Sequence, residues 1–172
     1  MDPINCYEYL ALARQQVFDW VRPLSPDQYL RVFPIGLGTL GRTLTHIYVC
    51  EFAYVERIRG HSLPPYREWP IQDEQPPPFA TLEAAWQKQA ETTRQVLAAV
   101  TDWNQQLEYR VTPDLSNVAR PVIVTTTPGG IATQMLTHEV HHRAQAMAML
   151  RQLGVAAQDL DYNSFMFQRR EE

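Results

Sequence analysis

Three histidines, His138, His141 and His142, stand beside Glu139 and Arg143 in a segment, Ile131 to Leu153, that contains neither proline nor glycine. Thr127-Pro128 ahead of it predicts a helix start, with the threonine as cap and the proline in the first turn. Gly154 predicts the stop. At about 100° per residue, Ile131, Met135, His138, His142, Met149 and Leu153 fall within roughly a 60° sector. The expectation is that this sector faces the core and that His138 and His142, at i and i+4, converge on one point. His141 falls about 90° from the sector's centre, and Glu139 is expected off the inner face, which argues against it as a base. A buried imidazole has two ring nitrogens to satisfy. A shared divalent metal does this for a pair of histidines. Ordinary hydrogen bonding within a core is the other reading, because HxxxH is a short and common spacing.

A third candidate ligand lies far upstream. The segment from Thr39 to Arg59 has an apolar stripe of Leu40, Leu44, Ile47, Tyr54, Val55 and Ile58, and Gly60 ends it. His46 lies at the stripe's edge among Thr39, Thr43, Cys50, Ala53 and Arg57, which are mostly small or polar. Small neighbours leave room for a ligand beside His46; they equally suit a bulky neighbouring helix. Cys50, one turn after His46, has two readings as well, a sulfur that approaches the metal or simple packing.

The remaining segments must position these groups. Pro3 to Val21 is helical by period, with Tyr7, Leu10, Ala11, Val17, Phe18 and Val21 in one stripe and Arg14 inside it. Arg14 reads either as a snorkelling flank residue or as a cation facing a pocket. Ser25-Pro26-Asp27 predicts a short capped turn. His61 to Phe79 carries six prolines and is expected to be a long non-helical crossover anchored by Tyr66 and Trp69, with His61 exposed. Thr81 is read as the cap of a third long helix through about Trp103. Gln106 to Val111 and Pro121 to Thr126 predict a small β-hairpin, its loop carrying Pro113, Asp114, Ser116 and Asn117. The tail from Ala156, with Tyr162, Phe165 and Phe167, is expected to dock on the body. Four long amphipathic helices with one long crossover make an all-α four-helix bundle, a fold that builds metal sites from facing helices.

Composition narrows the function. With 172 residues, 45% of them hydrophobic, the chain is one domain with a substantial core. Its net charge of −4, without a basic run, argues against nucleic-acid binding. No apolar run is long enough to span a bilayer, and the opening residues lack the pattern of a secretory signal. Two cysteines, Cys6 and Cys50, make no disulfide framework. A reducing, cytoplasmic setting follows as the expectation.

The histidine in Leu44-Thr45-His46-Ile47, the run from His138 to Gln145 continuing to Leu150-Arg151-Gln152-Leu153-Gly154, and the order of elements together resemble the DinB-like (damage-inducible, YfiT-like) metalloproteins. The resemblance covers nearly the whole chain, and Ala144 stands where that family usually has glycine. It implies an up-down-down-up bundle, a metal site of His46, His138 and His142, and commonly a homodimer. It implies nickel, zinc or iron as the metal, and a thiol-dependent transferase or hydrolase that acts on a small molecule, in some relatives with a low-molecular-weight thiol as cofactor; a metal- or ligand-binding bundle without turnover is the alternative. Three neutral imidazoles with open positions form the catalytic kind of site, which lowers the pKa of a bound water to about 7 or holds a thiolate. Arg14, Thr43, Cys50, Arg57 and Gln145 are the candidate pocket residues around it. On the back of the last helix, Leu136, Val140 and Met147 form an apolar strip, read as a dimer contact or as a surface covered by the tail.

Overall fold

The computed structural model describes residues 2–115, 118–168 and 170; Ser116 and Asn117 of the hairpin loop lie outside the described residues. Helix α1 (Pro3–Val21) opens with the Asp2 carboxylate accepting from the Ile4 and Asn5 N–H groups. The turn α2 (Pro26–Tyr29) carries a full capping box between Ser25 and Gln28. Helix α3 (Leu40–Ile58) is capped by Thr39. A single 3-10 turn, Tyr66–Glu68, interrupts the proline-rich crossover. Helix α4 (Phe79–Ala99) follows, then the antiparallel strands β1 (Leu107–Val111) and β2 (Val122–Thr126). Helix α5 (Pro128–Gln152) is capped by Thr127, and the short α6 (Tyr162–Met166) closes the chain. The predicted stops hold, with Gly60 and Gly154 at φ 75° and 85°.

Side-chain pairs give the helix directions. Tyr48 meets Trp86 and Glu51 meets Thr93, so α3 and α4 run parallel. Arg22 pairs with Glu83 and Arg94 with Glu8, so α1 and α4 run antiparallel. His46 packs on His142 while Tyr54 reaches Gln134, so α3 and α5 are antiparallel. The bundle is therefore up-down-down-up, and the long crossover is the segment that must travel back along α3 to start α4 beside it.

The core gathers Tyr7, Leu10, Val17, Leu40, Leu44, Leu82, Trp86, Leu97, Met149 and Leu150. Trp86 is almost completely buried, edge-on to Phe18 and Tyr48. Truncating it to alanine is expected to cost about 3–5 kcal/mol. The tail docks as anticipated: the Tyr9 hydroxyl donates to the Leu160 carbonyl at 2.6 Å, and the Tyr162 and Phe165 rings pack on Tyr9. No helix is long and apolar enough to cross a membrane among the described residues.

Three expectations need correction. Helix α4 begins at Phe79 under Pro78, without a side-chain cap, and ends at Ala99. Thr81 therefore lies within its first turn and Trp103 beyond its end; the Trp103 carbonyl instead accepts from the Gly129 N–H and ties the hairpin's flanks together. Helix α5 is rotated by about 60° from its expected facing: Glu139 and Arg143 are buried, and the histidines sit on the flank of the buried face. The same rotation buries Met147 and leaves only Val140 of the apolar strip outward, with Leu136 half-buried on the core. The physical reason is a buried ion cluster. Arg14 donates to Glu51 at 2.6 Å and to Glu139 at 2.5 Å, Arg143 lies 3.9 Å from Glu139, and Tyr7 and Thr93 donate to Glu51. Charges that satisfy one another occupy positions that polarity alone assigns to the surface.

Candidate metal centre

Helices α3 and α5 each place an i, i+4 pair at the same level of the bundle: His46 and Cys50 on one, His138 and His142 on the other. Because the helices are antiparallel, the pairs interleave. The His46 and His138 Nε2 atoms are 3.2 Å apart, and the Cys50 sulfur is 3.6 Å from His46 Nε2. Among the described residues, one nitrogen each of His46 and His138 and the Cys50 sulfur lie within 4.8 Å of one another, a grouping able to hold a metal ion. The His142 ring stands beside them, its centroid 4.7 Å from His46 and 4.5 Å from His138. His141 is exposed.

The far nitrogens are held from outside. His46 Nδ1–H donates to Asp73 Oδ2 at 2.9 Å. The Tyr66 hydroxyl donates to the other Asp73 oxygen and accepts from the Asp73 N–H. This carboxylate–histidine pairing fixes the tautomer that leaves Nε2 free for a metal. Trp69, buried against Phe52, pins the crossover that delivers Asp73. His142 Nδ1–H donates to Gln145 Oε1 at 2.9 Å, and the Gln145 amide reaches on to His141. The turn before α3 closes over this amide at Gly36: φ is +48°, and a Cβ there would collide with Gln145.

Electrostatics divides the three rings. Burial opposes a charge on His46, but the Asp73 carboxylate and the Cys50 sulfur outweigh it and push its pKa up to about 9. Burial, with the neighbouring His142 and His46, drives His138 down to about 3. Burial also lowers His142, against the opposing Gln145 contact. Asp73 ends below the usual carboxylate range: its burial is outweighed by His46 and Tyr66. His46, Cys50 and His138 thus form a donor set able to hold a metal ion, which would displace any proton on His46 Nε2.

The cluster opens on a cavity of about 820 Å³ between α3, α5, the crossover and the hairpin. The inward-facing hairpin residues, Tyr109, Val111, Val122 and Val124, form one wall, and Tyr66, Trp69 and Leu115 another. Of the anticipated pocket residues, Cys50 and Arg57 line it. Arg14 and Thr43 do not. Arg14 is sealed in the ion cluster, and the buried Thr43 hydroxyl donates to the Thr39 carbonyl at 2.8 Å. Gln145 acts through His142. Glu139, fully buried against Arg14, faces away from the cavity lining. Asp73 and Arg42 escaped the sequence reading, and Tyr66 entered it only as an anchor of the crossover. Asp73 lies in a segment with no period, and its partner is 27 residues away; the acid-plus-aromatic content of a crossover that must run back along α3 was the one signal pointing to it.

Comparison with known proteins extends this picture. The family model described as "DinB family" matches residues 2–172. Protein DinB of Bacillus subtilis (strain 168) is 24% identical over 177 residues, covering 96% of this chain and 94% of that protein. The crystal structure of a DinB-like protein from Bacillus subtilis, YjoA, superposes with a TM-score of 0.59 at 15% identity, covering 91% of this chain and 96% of that one. At that identity the likeness speaks to the fold alone.

Proposed function

The chain belongs to the DinB family, and from that premise we propose that it is a metal-dependent enzyme acting on a small molecule. In this reading His46, His138 and His142 hold one divalent cation. One observation carries it. His46 and His138 bring their Nε2 atoms to 3.2 Å at the wall of a cavity of about 820 Å³, with Asp73 holding the far nitrogen of His46. Imidazole donors suit nickel, zinc or iron alike.

The bound ion supplies Lewis acidity toward a water or a low-molecular-weight thiol, the chemistry of a hydrolase or a thiol-dependent transferase. The chain's own groups do the rest. Asp73 and Gln145 orient two rings, the hairpin and Trp69 exclude bulk water from one side, and the apolar walls receive the body of a substrate. Elemental analysis of untagged protein purified without chelators should find one divalent ion per chain, and a screen of electrophilic and ester substrates, with and without thiols, should find turnover lost on chelation. A chain that binds no ion under these conditions sinks the reading.

A second reading rests on Cys50. Its sulfur is 3.6 Å from His46 Nε2. Were it a fourth protein ligand, the set would be closed, as in structural sites, and the bundle would bind metal without turnover. An intense thiolate-to-metal charge-transfer band in the cobalt-substituted protein that vanishes in Cys50→Ser would favour this over the enzyme.

A further inference from the structure

Arg57 is a charged group on the cavity wall without an ion-pair partner among the described residues. It lies on α3 about two turns beyond Cys50 and lines the same cavity as His46, Cys50 and His138. Among the described residues no carboxylate lies within ion-pair distance of it; its neighbour Glu56 is spent on Arg59 at 2.9 Å and His61 at 2.7 Å. Its Nε is buried and has no hydrogen-bond partner among the described residues. Yet the guanidinium is not loose: its carbon sits 4.4 Å from the centre of the Tyr109 ring, on the hairpin wall. A planar fork, fixed by stacking and left with unused donors, is the arrangement that recognises an oxyanion.

The rest of the cavity supports an anion at this end and not the other. Its acids are Asp73, Asp114 and Glu74, all on the crossover and hairpin-loop side. Asp73 is committed to His46 and Tyr66, and Asp114 accepts from the Tyr66 N–H at 3.1 Å. Glu74 is exposed at the rim. The second arginine on the wall, Arg42, also has a buried Nε without a hydrogen-bond partner among the described residues, but unlike Arg57 it has no aromatic ring stacked on its guanidinium there. The rest of the lining includes Ala53, Tyr54 and Val124, with the Gln134 amide donating to the Tyr54 hydroxyl.

We propose that the cavity takes an acidic small molecule with an apolar body: its carboxylate docks on the Arg57 fork over Tyr109, and its other end reaches the histidine cluster. This rests on the metal reading above for the reactive end only; the Arg57 site stands on its own geometry. Seven residues of helix separate Cys50 from Arg57, about 10 Å along the axis, so the body between head and reactive end is on the order of six atoms long.

Matched probes test it. Cobalt-loaded protein is titrated with 6-mercaptohexanoate and with 6-mercaptohexan-1-ol, whose thiols bind cobalt as thiolates, releasing a proton to solvent, and report by their charge-transfer band. The acid should bind at least tenfold more tightly than the alcohol. Arg57→Gln should bring the two to parity while still taking up one cobalt per chain, and Arg57→Lys should keep part of the preference. Equal affinities in the wild type, or a preference that survives in Arg57→Gln, overturns the proposal. If the chain takes up no cobalt, the metal reading has failed separately. Hexanoate against hexan-1-ol, followed by chemical-shift changes at Tyr54 and Tyr109 in the wild type and Arg57→Gln, then decides the Arg57 site alone: shifts specific to the acid and lost in the variant support it, and their absence overturns it.

Discussion

Two polar constellations sit side by side on the same pair of helices. Cys50 and Glu51 are neighbours on α3, and His138 and Glu139 are neighbours on α5, yet each neighbour joins a different cluster. Glu51 and Glu139 turn inward to Arg14, each at most 3% exposed, and exchange short ion pairs with it. His46, Cys50, His138 and His142 turn to the flank, half-buried, with donor atoms facing one another. The inner cluster mixes two cations with two anions, so its charges answer one another. The outer one gathers like donors, its far ring nitrogens held by Asp73 and Gln145 while near ones converge. Burial of balanced charge specifies how helices pack; convergence of unbalanced donors beside a cavity is what a ligand completes.

The contrast breaks most visibly at Glu139. Glu139→Ala leaves Arg14 short of a partner and Arg143 without its nearest carboxylate, and should destabilise the chain by about 3–5 kcal/mol, read by urea unfolding. His138→Ala, one residue away, should leave the metal-free chain within about 1 kcal/mol of wild type, since it vacates a half-exposed position. A comparable loss of stability from both variants would mean that the two clusters are one structural network.

Metal affinity should separate them the other way. His46→Ala, His138→Ala and His142→Ala should each weaken metal binding by more than about 100-fold, beyond the usual effect of an outer partner, measured by competition with a chelator. Asp73→Asn keeps the shape but loses the carboxylate on His46, and should cost about 10–100-fold. If Asp73→Asn left affinity unchanged, the crossover would be a cover and not part of the centre. His141→Ala should be the mildest, within about threefold, because His141 is exposed and touches the centre only through the shared Gln145 amide. Equal losses from His141→Ala and His142→Ala would mean that α5 presents a different face to α3.

Much of the bundle was legible in the sequence because its punctuation is chemical. Thr127 caps and Pro128 opens the last long helix, and Gly60 and Gly154 close theirs with positive φ, all local signals that need no tertiary knowledge. Helix α4 lacks such marks at both ends, and its limits were misplaced for that reason. Spacing and family resemblance pointed to His46, His138 and His142, and the structure brings these three rings together, with Cys50 beside His46. The facing of α5 was not, because periodicity treats Glu139 and Arg143 as surface residues. Only the distant Arg14 makes them tolerable inside. Asp73 and the role of Arg57 are likewise properties of pairs formed across the fold, and no single segment announces them.

The anchoring of Asp73 has a consequence for the lifetime of the crossover. Residues 61–78 hold almost no repetitive structure, so their attachment rests on Trp69 and the Leu63, Tyr66 and Ile71 side chains around it, on the Tyr66–Asp114 contact and on the Asp73–His46 bond. A segment tied this sparsely opens locally more often than the helices beneath it. An ion on His46 that requires the Asp73 contact makes each such opening more costly, by an amount that grows with the logarithm of free metal. If the ion binds as proposed, a protease should therefore nick this stretch more slowly as metal is added, while the helices beneath it stay intact.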